Sequence, residues 1–238
     1  MICVVCSPQD THALWLATRL RARGRQVELV LPEELLIGSS LQLRVTTEGS
    51  ESGLRLARGI TLDHQCTGVI NRLNEVPSLR SESGRPADSA YLEEEWRAAI
   101  VAWLAGLACP VLNRPTGVSL CGTMFGDAHW RYLATQVGLA VRPWSAGSAA
   151  EAVESEGHEL PARVFVAGKQ VIDPLDILSV EARAGVAALA ATAQLQLCCA
   201  EFDRSIEAPR LIRLNPLVPF AAGGDPLVTA IEGALSLS

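Results

Sequence analysis

Ile2-Cys3-Val4-Val5-Cys6-Ser7-Pro8-Gln9-Asp10 joins an apolar run to the start of a helix. Ser7 is a natural N-cap, Pro8 fits the first helical position, and Asp10 stands where a capping carboxylate would lie. An amphipathic helix follows, and a second apolar run covers residues 27–31. Strand, helix and strand in about thirty residues form a βαβ unit, which predicts a parallel sheet.

Composition and charge limit the classes of function that the protein can have. The chain has 238 residues, 49% of them hydrophobic, and a formal net charge of −6. An acidic chain lacks the basic face that nucleic-acid binding needs. The apolar N-terminal run is too short to span a membrane and has no basic leader. Seven cysteines at irregular spacings fit a reducing compartment, so we expect a cytoplasmic protein.

Two cysteine pairs invite a metal or redox interpretation. Cys3 and Cys6 form a CxxC motif, but residues three apart on a strand point to opposite faces. The adjacent Cys198 and Cys199 also fall on an apparent strand. Because free cysteine is readily buried, we interpret all four as small apolar core residues.

Later patterns extend this architecture. Two alternating segments, 41–46 and 54–58, flank a polar turn and predict a hairpin on the edge of the sheet. Buried strands at 68–72 and 110–115 enclose a long helix that starts at Asp88 or Ser89. Further strands are predicted at 162–167, 170–173, 195–201 and 211–214, and further helices at 127–137, 180–191 and 227–235. We therefore predict an α/β fold: a parallel α/β N-terminal lobe at 1–116 and a reduced α+β lobe at 117–238.

Five short sequence motifs occur in a characteristic order along the chain: Gly68-Val69-Ile70-Asn71-Arg72, Cys109-Pro110-Val111-Leu112-Asn113-Arg114-Pro115, Gly138-Leu139-Ala140-Val141-Arg142-Pro143, Arg163-Val164-Phe165-Val166-Ala167-Gly168 and Leu214-Asn215-Pro216. In that order they resemble the ATP-grasp superfamily, especially the branch near the ribosomal-protein glutamate ligases and related peptide-modifying enzymes. The resemblance covers nearly the whole chain. It implies an α/β domain followed by an ATP-binding half.

The resemblance also implies a chemistry. ATP and Mg²⁺ would activate a carboxylate as an acylphosphate, which an amine then attacks. Arg163 would face the phosphates, while Glu201 and Asn215 would supply oxygen ligands to the metal. Such a reaction needs cations around the phosphates and hard oxygen donors around Mg²⁺.

Three departures from the family pattern bear on this chemistry. Only twenty residues separate Arg142 from Arg163, where the family places the subdomain that covers the nucleotide. The one lysine of the chain, Lys169, falls in a predicted exposed turn. The metal motif normally reads Glu-x-Asn, but Arg213 stands at its glutamate position. A guanidinium there repels Mg²⁺, so we interpret the metal site of Glu201 and Asn215 as vestigial.

Candidate ligand-binding residues remain in two places. Arg163 and Arg213 could bind an anion without metal, or could form a salt-bridge set with Glu201 on neighbouring strands. Two Asn-Arg pairs follow parallel strands, at the edge where doubly wound sheets bind ligands. Their alternative use is loop capping and surface charge. These residues are Asn71, Arg72, Asn113 and Arg114.

The leading functional hypothesis is a non-catalytic relative that needs no cofactor. It would act as a binding or assembly partner in a biosynthetic or peptide-modifying pathway. Loss of the nucleotide lid would uncover an apolar face that a homo-oligomer or a protein complex could bury. One alternative is an active ATP-dependent carboxylate–amine ligase that uses ATP and Mg²⁺. Another is an anion- or nucleotide-binding regulator.

Overall fold

The computed structural model of the protein describes residues 1–47, 49–63, 65–75, 85–143, 160–203 and 208–236. In chain order its elements are β1 (Ile2–Val5), α1 (Thr11–Ala22), β2 (Val27–Val30), α2 (Pro32–Leu36), β3 (Ser40–Thr46), β4 (Gly49–Arg55), β5 (Thr61–Leu62), β6 (Gly68–Asn71), α3 (Pro86–Gly106), β7 (Val111–Leu112), α4 (Asp127–Gln136), β8 (Ala162–Ala167), β9 (Gln170–Ile172), α5 (Val180–Thr192), β10 (Leu197–Phe202), β11 (Leu211–Asn215) and α6 (Phe220–Ser236).

The first sheet is parallel, as the opening βαβ pattern predicts. Its strand order is β2-β1-β6-β7, and every pairing in it is parallel. The start of α1 lies later than predicted. Asp10, not Ser7, is the N-cap, because its carboxylate accepts a hydrogen bond from the Ala13 N–H at 3.0 Å.

The predicted hairpin exists but does not lie on the edge of the parallel sheet. Strands β3, β4 and β5 form a separate antiparallel sheet, and α3 packs against β3 and β4. The Ser52 hydroxyl, buried in β4, donates to the Trp103 carbonyl of α3 at 2.7 Å. Most of the polar stretch predicted as a turn is therefore strand. The long helix begins at Pro86, ahead of the predicted caps Asp88 and Ser89.

The third sheet is antiparallel, in the order β11-β10-β8-β9. Helices α4 and α5 share a core with one face of this sheet, and α6 packs against the other. The last helix, α6, consists of two helical segments that meet at Gly224, where the backbone φ of 59° and ψ of −158° are not helical. The second segment contains the predicted helix at 227–235, and the short segment that starts at Phe220 was not predicted.

One hydrophobic core connects the parallel sheet to the antiparallel sheet. It combines residues of β1 and α1 with residues of β8, β10 and α6, among them Leu16, Phe165 and Ile231. The division into lobes at 1–116 and 117–238 stays a prediction. The shortened segment that prompts the prediction of a missing lid falls mainly in 144–159, outside the described residues.

The cysteines on the strands point to opposite faces of their sheets, as predicted. Cys3 lies in the core between the parallel sheet and α3, while Cys6 lies in the core shared with α6. Cys198 and Cys199 likewise belong to different cores. All seven cysteines are free and buried. In the described ranges, no three His, Cys, Asp or Glu side chains group as a metal site would require, and no helix is long and apolar enough to cross a membrane.

Candidate functional site

Arg163, Glu201 and Arg213 form a row across three neighbouring strands of the antiparallel sheet. Glu201 on β10 pairs in register with Arg163 on β8 and with Arg213 on β11. Directly opposed residues of antiparallel strands project from the same face of the sheet. Strand register therefore brings together the three side chains for which sequence analysis left a salt-bridge set open.

Both oxygens of Glu201 are bound by arginine. Arg163 Nε donates to Oε1 at 3.3 Å, and Arg213 Nε donates to Oε2 at 2.7 Å. The Glu201 side chain is only 7% exposed, whereas those of Arg163 and Arg213 are 39% and 52% exposed. Within the described chain, the terminal guanidinium nitrogens of the two arginines have no hydrogen-bond partner. The row is a salt-bridge set with a net positive, solvent-facing surface.

This donor set does not fit Mg²⁺. A divalent cation at Glu201 would have to displace two guanidinium groups that already satisfy the carboxylate. Asn215, whose Oδ1 accepts the Leu217 N–H at 2.8 Å, lies opposite Cys199 rather than opposite Glu201. Burial, and then the charge of Glu201, raise the pKa of the Cys199 thiol to about 12, against the opposing effect of the arginines. Cys199 offers sulfur, not the oxygen that Mg²⁺ prefers, so it does not replace the missing carboxylate.

The two candidate asparagines are buried and hold the backbone together. Asn71 Nδ2 donates to the carbonyls of Asn113 at 2.8 Å and Leu120 at 2.6 Å. Asn113 Nδ2 donates to the Leu197 carbonyl at 2.6 Å, and its Oδ1 accepts the Leu197 N–H at 3.1 Å. Asn113 thereby connects the end of β7 to the start of β10. The ligand role predicted for both asparagines stays a prediction.

Arg72 lies where β6, α1 and α6 meet. Its Nε donates to Asp10 Oδ2 at 2.7 Å and its Nη2 to Oδ1 at 3.2 Å. Its Nη1 donates to the Val218 carbonyl at 2.9 Å, and the guanidinium carbon lies 4.7 Å from the centroid of the Phe220 ring. The side chain is 4% exposed. These contacts use three of the five guanidinium N–H groups, and the ligand role predicted for Arg72 stays a prediction.

Asp10 makes stability depend on pH. Burial would raise the pKa of Asp10, but the hydrogen bond and charge of Arg72, with the Ala13 N–H, outweigh burial and hold it below its ordinary 3.8. A lowered pKa contributes stability that is present above the ordinary value and is lost as pH falls through the folded-state value. We expect the stability difference between the wild type and Asp10→Asn, which keeps a capping oxygen, to shrink below pH 3.8. Urea titrations across that window measure it; a constant difference would contradict the assignment.

Arg114 has a structural use at the end of α3. Its Nη1 donates to the carbonyls of Leu104 at 2.6 Å and Ala105 at 3.1 Å. Its Nη2 donates to those of Leu107 at 3.0 Å and Cys109 at 3.1 Å. Cations near a helix C-terminus satisfy its free carbonyls and its dipole. The loop-capping alternative accounts for these contacts, and the ligand role stays a prediction.

A cavity next to Lys169 was not predicted. Lys169 lies in the exposed turn between β8 and β9, as expected from its sequence, and lines a cavity of about 920 Å³. Alanines of α5 and α6 also line it, at positions 187, 188, 191 and 234. The closely spaced alanines of α5 were the available signal, since small side chains leave space beside a helix.

Comparisons with known proteins identify solved structures that share this fold. No protein-family model matches the chain, and no curated protein matches its sequence. Among solved structures, the macrocyclase MdnC from Microcystis aeruginosa MRC, bound with precursor peptide MdnA, superimposes with a TM-score of 0.72 at 13% identity, covering 100% of this chain and 99% of MdnC. The ATP-grasp ligase PsnB, complexed with a minimal precursor, gives a TM-score of 0.68 at 16% identity, covering 98% of each chain.

A third structure agrees with these two. The Chryseobacterium gregarium RiPP-associated ATP-grasp ligase, in complex with ADP and a leader and core peptide, gives a TM-score of 0.64 at 12% identity, covering 99% of this chain and 94% of that chain. The branch near the ribosomal-protein glutamate ligases stays a prediction. The predicted α/β class and the predicted superfamily resemblance are confirmed at the level of fold: in the residues that the structure describes, this chain has the fold of the ATP-grasp ligases.

Proposed function

We propose that this protein is a non-catalytic member of a peptide-modifying pathway that binds a peptide or protein through its arginine row. The carrying observation is that both oxygens of Glu201 are bound by arginine. We further propose that it works in the cytoplasm without nucleic acid, which its acidic composition and its seven free cysteines support.

Electrostatics supports the loss of catalysis. A carboxylate at position 213 would add a second negative charge beside Glu201, whereas Arg213 adds a positive one. The substitution changes the local charge by two units, and two unit charges 4 Å apart interact by about 1 kcal/mol in water and about 4 kcal/mol near a protein surface. Because Mg²⁺ itself carries two charges, the two-unit change costs it about four times this unit-pair energy, half as lost attraction and half as added repulsion.

The chemistry of the row suggests what it binds. The terminal nitrogens of Arg163 and Arg213 face solvent, and guanidinium forks bind carboxylates in a bidentate manner. An acidic stretch of a peptide fits this surface. Support also comes from the fold relatives, which were solved with precursor peptides. Assembly as a homo-oligomer or within a protein complex belongs to the same proposal.

A second candidate is a regulator that binds a small phosphate-bearing anion without metal. The exposure of Arg163 and Arg213, 39% and 52%, favours it because a free phosphate could reach both guanidinium groups. The two candidates differ in ligand. An acidic peptide that binds more tightly than ADP or inorganic phosphate supports the first, and the reverse order supports the second.

The test of lost catalysis compares the wild type with Arg213→Glu. In calorimetric titrations, we expect the wild type to show no Mg²⁺-dependent binding of ATP and no phosphate release. Arg213→Glu should raise the affinity for Mg²⁺ at least about tenfold, the equivalent of 1.4 kcal/mol, because it replaces a repelling charge with a ligand.

Arg97→Glu serves as the control, since it makes the same change in net charge on an exposed face of α3. We expect it to leave Mg²⁺ binding at the wild-type level. Phosphate release from MgATP by the wild type would overturn the proposal in favour of an active ligase.

A further inference from the structure

The hairpin sheet has an open edge. Strand β3 pairs with β4 on one side only, and no other strand of the described chain lies along its outer edge. Leu43 is 50% exposed and Val45 is 73% exposed. An exposed strand edge with apolar side chains is a template for pairing with another strand.

Residues 41–45 of this strand are complementary to themselves. If two copies pair antiparallel about Leu43, Leu43 lies opposite its own symmetry mate, and Leu41 lies opposite Val45. On the other face, Gln42 lies opposite Arg44. The two Arg44 side chains, the only charged groups in residues 41–45 of the two copies, therefore do not face each other. Like charges opposite each other destabilise a sheet, and centring the pairing on residue 44 would create such a clash.

We propose that two copies of this chain join through β3, in antiparallel register about Leu43, to form a continuous six-stranded sheet; this interface rests on the homo-oligomer included in the proposed function, but not on the arginine row. The operation is a closed two-fold, which uses the same surface on both copies and leaves neither β3 edge free. Residue alternation fixes the face: Leu41, Leu43 and Val45 lie on the side where α3 packs, since Leu43 approaches Gly106 of that helix.

The joined sheet buries apolar side chains of β3 that are exposed in the single chain. Val45 of each copy lies beside Leu41 of the other, which is only partly exposed and packs against the core under α3. The two β4 strands are then separated by three strand spacings, about 14 Å, which leaves room for both α3 helices on one face. Main-chain hydrogen bonds add affinity along the seam, as in other strand-addition interfaces.

Cysteine cross-linking tests the register. Opposed residues of antiparallel strands have Cα atoms about 4.5 to 5.5 Å apart, inside the range of a disulfide. We expect Leu43→Cys to form a disulfide-linked dimer under mild oxidation. Val45→Cys, on the same face and more exposed, would place its two Cα atoms about 14 Å apart and stay unlinked. The native cysteines do not interfere because all seven are buried.

Light scattering tests the association itself. We expect the wild type to be a dimer, with twice the 25.4 kDa mass of one chain. Leu43→Lys, which sets two ammonium groups opposite each other, should be a monomer with the mass of one chain. Val118→Lys, at an 84% exposed site elsewhere, should leave the dimer intact. A monomeric wild type, a dimeric Leu43→Lys, or equal cross-linking of both cysteine variants would overturn the proposal. Circular dichroism confirms that each variant is folded.

Discussion

Replacing Arg72 with alanine is expected to lower the free energy of unfolding by about 3 to 5 kcal/mol, the usual cost of removing one partner of a buried ion pair. The substitution leaves Asp10 without its cation and the Val218 carbonyl without its donor. It also removes the contact with the Phe220 ring. Urea denaturation at neutral pH measures the loss as a shift in midpoint at constant slope.

Arg97→Ala is the matched control for Arg72→Ala. Its partner Glu94 is 3.8 Å away, and both side chains are exposed, so its removal should change stability by less than about 1 kcal/mol. The double variant Asp10→Asn, Arg72→Met removes both charges together and should recover part of the loss. Equal stability of Arg72→Ala and Arg97→Ala would show that Arg72 does not hold the three elements together.

Asn113→Ala has the second largest expected effect, a loss of about 3 kcal/mol, because it leaves buried main-chain groups without partners. The Leu197 N–H and carbonyl both lose their side-chain partner. Asn113 also has a positive φ of 62°, which asparagine tolerates better than alanine does. Thermal and urea denaturation should both report the loss.

Asn113→Gly separates the two causes. Glycine adopts the positive φ without strain, so this variant should be more stable than Asn113→Ala by up to about 1 kcal/mol while still lacking the hydrogen bonds. Asn74→Ala, at an exposed position, should stay within about 0.5 kcal/mol of the wild type. An Asn113→Ala variant as stable as Asn74→Ala would contradict the role assigned to this side chain.

The parallel sheet was predictable because local signals agree there. An apolar run, capping residues and a second apolar run leave few alternatives to a βαβ unit. The placement of the hairpin was not predictable, since alternation shows that one face is covered but not which element covers it. In this chain α3 does, and the Ser52 hydroxyl completes that contact. The polar stretch around it became strand for this reason.

In the candidate site, too, some features could be predicted from the sequence and others could not. For Arg163, Glu201 and Arg213 the sequence left an anion site and a salt-bridge set on neighbouring strands open, and only the strand register reveals that both carboxylate oxygens are bound. For Arg72 and Arg114 the sequence left ligand binding and structural use open. A side chain's direction depends on contacts from segments far along the chain, such as the carbonyl of Val218, which the local sequence does not encode.

The position of α6 has a consequence for how the chain folds during synthesis. Arg23, at the end of α1, is hydrogen-bonded to Glu232 across a separation of 209 residues, and α6 completes the core under β1. A ribosome-bound chain that ends before Phe220 would therefore leave the part of this core that α6 covers open to solvent. Such exposed intermediates are prone to aggregate, so we expect nascent chains to require chaperone protection until the last helix has emerged.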